Sequence, residues 1–220
     1  MKSLYLTFLS ALSVVSLIAP EATAQSVYSI ESGVTSISLS KPAFASLGFT
    51  ITGMMDTVTP AAGYDTGLEI STTTKAKDRF CFTLDPFLPG EGIIEHTGTI
   101  QFEGGISIGN FEVAFDSSRV GVANSGFFIT DRADLAGEIL FDIGSSAADT
   151  IDATEFTIGD SDLLVAPEFA SFLGSGGFAG TDVGDFRVDA LVQLKTVPEP
   201  STALLTLVGG IFLVFRRKRA

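Results

Sequence analysis

Between residues 25 and 196, apolar side chains recur at every second position far more often than at every third or fourth. That is the period of strands with one buried face. In "GTIQFEGGISIGNFEVAFD", residues 98 to 116, Ile100 and Phe102 alternate with Thr99, Gln101 and Glu103. Gly104 and Gly105 then turn the chain, and Ile106, Ile108, Phe111, Val113 and Phe115 resume the alternation. The pattern predicts a β-hairpin whose apolar face points into a core. Further strands are expected at Val34 to Leu39, Phe44 to Gly53, Arg79 to Leu84, Arg119 to Ala123, Gly126 to Thr130, Gly137 to Ile143, Ala153 to Ile158 and Phe186 to Leu194. Short turns separate most of them, which predicts an all-β fold, a single antiparallel β-sandwich of jelly-roll type. One segment departs from the period: "APEFASFLGSGG" has Pro167 at a first helical position, Glu168 in the first turn, apolar Phe169, Phe172 and Leu173, and Gly174 as a stop. It predicts one short helix.

The two ends have a different pattern. Met1 and Lys2 precede an apolar run from Leu4 to Ala19, Pro20 breaks it, and Ala22 and Ala24 place small residues at the positions a signal peptidase requires. Residues 1–24 are therefore expected to be a signal peptide, cut after Ala24 by signal peptidase. At the other end, residues 203–215 are apolar and precede Arg216, Arg217, Lys218 and Arg219. A helix of that length covers roughly 20 Å, short of a hydrocarbon core of about 30 Å. Snorkelling of Arg216 narrows the gap, and the basic cluster fits the cytoplasmic side. The expected organisation is a signal helix over 1–24, a β-sandwich body over 25–197, and a C-terminal membrane helix with a basic stop over 198–220.

Charge and cysteine content narrow the function. The whole chain carries a formal charge of −13. With residues 1–24 and the basic cluster 216–219 set aside, 25 acidic residues face 8 basic ones, about −17. Such a field repels phosphate backbones, so nucleic acid is excluded as a partner. Cys81 is the only cysteine, so no intramolecular disulfide forms, and its place between Phe80 and Phe82 is that of a small strand residue. His96 is the only histidine and is expected at an exposed turn or strand edge without a task. No nucleophile elbow, zinc-protease or phosphate-loop motif is present, and the chain is expected not to be an enzyme. A pair of carboxylates remains the one catalytic alternative, a secreted hydrolase. Asp160 and Asp162 in "GDSD", with Asp182, Asp185 and Asp189 further on, are candidate oxygen ligands for Ca²⁺, although the EF-hand pattern is absent.

"VPEPS", Val197, Pro198, Glu199, Pro200 and Ser201, stands before the apolar run and the Arg/Lys cluster, and a signal peptide stands at the far end. This arrangement over residues 197–220 resembles the PEP-CTERM sorting signal of bacterial exported proteins. The prolines hold Glu199 extended and accessible. The resemblance implies that an exosortase recognises the box and cuts near it, and that the protein is first held at the membrane by its C-terminal helix and then passed to the cell surface or an extracellular matrix. The function it implies is structural, associated with exopolysaccharide or biofilm. The alternative is a carbohydrate-binding module displayed on the surface.

Overall fold

The computed structural model describes residues 25–75, 78–146 and 148–195. Ser26–Val197 form one compact unit. In chain order its elements are β1 (Val27–Leu39), α1 (Lys41–Ser46), β2 (Ile51–Met55), β3 (Thr66–Ile70), β4 (Cys81–Thr83), β5 (Leu88–Pro89), β6 (Ile94–Thr97), β7 (Thr99–Phe102), β8 (Ser107–Gly109), β9 (Glu112–Phe115), β10 (Asn124–Thr130), β11 (Ile139–Gly144), β12 (Thr150–Ile151), β13 (Glu155–Val165), α2 (Pro167–Phe172) and β14 (Asp182–Lys195).

The expected sandwich is corrected to a barrel. β13, β11, β10, β9, β6, β3 and β1 are neighbours in that order, and β14 pairs with both β1 and β13, which closes an eight-stranded antiparallel ring. The closing pair is long, running from Val27 opposite Lys195 to Leu39 opposite Gly184. At Gly184 a side chain has no room, because a Cβ there would stand 1.9 Å from the Ser38 carbonyl oxygen, and its φ of +151° disfavours any other residue. β4 and β5 extend the sheet beyond β1, β12 flanks β13, and β2, β7 and β8 form a separate three-stranded sheet.

Eight strands enclose a space that side chains can fill, and every strand of the ring contributes, among them Leu68, His96, Val113, Ile129, Phe141 and Phe186. Phenylalanines close both ends. Phe80, Phe82, Phe127 and Phe156 meet edge-on or tilted at centroid distances of 5.3–5.7 Å at one end. At the other, Phe44 of α1 and Phe169 of α2 pack on Phe141 at 6.2 and 6.1 Å. Such aromatic pairs add about 0.5–1.5 kcal/mol each beyond their buried area.

Three local expectations also change. Phe44 lies in a helix rather than a strand, because Ser40 caps it by accepting the Ala43 N–H and Pro42 sits in its first turn. Among the described residues there are therefore two short α-helices. Arg119 to Ala123 is not a strand: Asp116 Oδ1 accepts the Ser118 N–H and starts a 3₁₀ turn, Ser117–Arg119. The hairpin turns at Gly104-Gly105 as β7 and β8, but the chain crosses to the barrel at Asn110, so Val113 and Phe115 belong to the other sheet.

The C-terminal membrane anchor is also corrected. Among the described residues no helix is long and apolar enough to cross a membrane. Residues 203–215, on which the anchor rested, lie outside the described residues, as do Arg216, Arg217, Lys218 and Arg219. No anchor is assigned.

Candidate functional site

Three clusters of polar and charged groups stand out in the barrel. The first is inside it. His96 on β6 is 3 % exposed, not exposed as expected. Its Nδ1 donates to the Phe111 carbonyl oxygen at 3.1 Å, since a carbonyl can only accept, which leaves Nε2 to accept from the Thr35 hydroxyl at 2.6 Å. The neutral imidazole is thus fully bonded. Burial lowers its pKa to about 4, only partly opposed by the backbone bonds. The cavity beside it is about 10 Å³, room for a single water at most. Among the described residues no carboxylate, and no nucleophilic side chain other than the Thr35 hydroxyl and His96 itself, lines it.

The second cluster lies on the outer wall. Asp142 of β11 is nearly buried beneath α2 and the 117–119 turn. Arg119 bonds it at 2.6 Å through Nη1, bonds Glu168 through Nη2, and lies 5.0 Å from the centre of the Phe128 ring. One guanidinium therefore ties two carboxylates together. An acid/base pair for hydrolysis needs its carboxyl groups to face a substrate cleft, and here both face Arg119.

The third is the acidic strip that the sequence suggested. Asp160 and Asp162 fall on β13, Asp182, Asp185 and Asp189 on β14, and register sets Asp162 opposite Asp185. Asp160 sits at a bulge with φ of +50°, and accepts a 3.3 Å bond from the Tyr64 hydroxyl. Tyr64's pKa is raised by burial and by Asp160. Asp185's carboxyl is raised above its usual range by burial, then by Asp182, Asp162 and Asp160. Asp189 is taken by Arg187, whose Nε and Nη2 reach its two oxygens at 2.7 Å each. The fold thus brings two distant acidic stretches together. Even so, among the described residues no group of three or more His, Cys, Asp or Glu side chains is arranged to hold a metal ion.

Cys81 is half-buried and donates to the Glu91 carbonyl oxygen at 3.2 Å. The clamp around Asp131 was not legible in the sequence. This fully buried carboxylate accepts from the backbone N–H groups of Gly109, Leu135 and Ala133 at 2.6, 2.7 and 3.1 Å, and so stitches the β8 edge to the barrel. An Asp followed by Arg-Ala-Asp in a loop carries no distinctive pattern. Ala22, Ala24 and the box Val197, Pro198, Glu199, Pro200 and Ser201 lie outside the described residues.

The chain matches no protein-family model and no curated protein, so the sorting-signal resemblance of residues 197–220 gains nothing from either comparison.

Proposed function

We propose that this chain is a non-enzymatic structural protein associated with exopolysaccharide, delivered as cargo through the sorting signal that residues 197–220 resemble. The observation that carries the non-catalytic part is the filled barrel. Among the described residues that line the barrel's inner space, the titratable group is His96, which is neutral and bonded on both nitrogens, and the space beside it admits no substrate. The acidic outer surface, about −17 outside the two ends, suits a soluble body in a hydrated matrix. Exosortase and signal peptidase are its processing partners in this scheme.

The test is the mass and C-terminal peptide of the mature protein from its native host, with its partition between matrix and medium. A C-terminus within residues 198–201 in the matrix fraction supports the proposal. A chain that ends at Ala220 removes the sorting step and the proposal with it.

A further inference from the structure

Among the described residues four strand edges are left at the margins of the two sheets, and three of them are blocked. β5 is two residues long and contains Pro89, which has no N–H to offer. β12 is also two residues long and is flanked by Asp149 and Asp152. The edge of β8 is covered by the loop after β10, where Arg132 N–H donates to the Gly109 carbonyl oxygen at 3.0 Å and Asp134 N–H to that of Ser107 at 3.3 Å. Short length, proline, charge and cover are the usual devices that prevent edge-to-edge pairing.

β2 contains no proline and no charged residue and, among the described residues, has no cover, although a bulge between Ile51 and Gly53 bends it and Asp56 follows it. It is five residues long, pairs with β7 on one side, and among the described residues pairs with no strand on the other. Thr52 and Met55 are exposed along it, and Thr50 is exposed just before it. From Pro42 to Met55 no residue is charged, in a body where acidic residues outnumber basic ones about threefold. Two copies of so acidic a body repel each other wherever their surfaces carry charge, so contact between copies is least opposed at this segment. Backbone N–H and C=O groups along an open edge supply the pairing, and a strand that meets its own copy antiparallel forms a self-complementary, two-fold contact.

We propose that the open edge of β2 pairs with β2 of a second copy of this chain, which makes the protein self-associate through a continuous six-stranded sheet. The proposal goes beyond the sorting scheme and does not depend on it.

Sedimentation velocity of the purified full chain, wild type against Thr52→Lys and Thr50→Lys, tests it, with thermal unfolding to show that each variant folds. The wild type is expected to dimerise between about 1 and 100 μM, and each lysine to weaken the dimer about tenfold or more. Added salt is expected to tighten the wild-type dimer, because it screens the repulsion between the acidic bodies. Amide exchange across residues 50–55 should slow as concentration rises. A wild type that stays monomeric throughout overturns the proposal. So does association that both folded lysine variants retain, which would place the contact elsewhere. Neither result bears on processing at residues 198–201, so the two proposals fail separately.

Discussion

A single histidine sealed in the barrel makes acid stability a sharp test of the interior. Folded, His96 stays neutral down to about pH 4, because burial disfavours its charge, whereas an unfolded chain protonates it near 6.5. Between those values the unfolded state binds more protons, so the contribution of His96 is fully present above pH 6.5 and is lost as pH falls toward 4. At about 1.4 kcal/mol per pH unit the loss reaches about 3 kcal/mol, a large part of the 5–15 kcal/mol typical of a domain. The carboxylates titrate in the lower part of the same range, so the comparison is with His96→Gln. That variant keeps a donor and an acceptor beside Phe111 and Thr35 but carries no proton-binding imidazole. It should be about 1–3 kcal/mol less stable than wild type at pH 7.5, through imperfect bonding. The gap should close or reverse by pH 4. Urea unfolding at several pH values gives the two curves, and the lone imidazole signal in an NMR titration gives the native midpoint directly. Parallel loss of stability in the two proteins, or a native midpoint near 6.5, would falsify the sealed-interior account.

Three further outcomes follow from particular contacts. Arg119→Met should cost about 3–5 kcal/mol, because it leaves the nearly buried Asp142 carboxylate unpaired; addition of Asp142→Asn should restore most of it, and denaturant midpoints decide both. Asp185→Asn should stabilise the fold by about 0.2–1 kcal/mol at pH 7 and low salt, since it removes like charges set opposite each other across strands. Because the folded carboxyl of Asp185 is raised, its ionised form is the unfavourable one, so that gain should fade as pH falls through the carboxylate range and as salt is added. Gly184→Ala should cost about 3 kcal/mol or more, or prevent folding, because the new methyl meets the Ser38 carbonyl oxygen at the barrel seam; circular dichroism on heating reads it.

The alternation of apolar residues located the hairpin at Gly104-Gly105 and the cores of β1, β10, β11, β13 and β14, since one buried face has the same signature in any antiparallel sheet. It could not separate sandwich from barrel. Closure rests on β14 meeting β1, strands more than a hundred residues apart in sequence, and a period of two says nothing about which strands are neighbours. At Phe44 the alternation points to a strand, but the Ser40 cap and Pro42, both present in the sequence, start a helix there. Polar and glycine neighbours give His96 the look of a surface residue in the sequence, whereas its burial depends on β3 and β9, the strands on either side of β6. The acidic strip is partly legible: both stretches stand out in the sequence, but only the register joins them.

The pairing of Val27 with Lys195 has a mechanical consequence. Both ends of the barrel's chain leave from the same point, on adjacent antiparallel strands. Tension applied between those ends would load the hydrogen bonds of the β1–β14 seam one after another, as in a zipper, and not all at once as in a shear. The ring would therefore open at a low force from that point, whereas a pull on one end alone would hang the barrel like a bead and leave the seam unstressed.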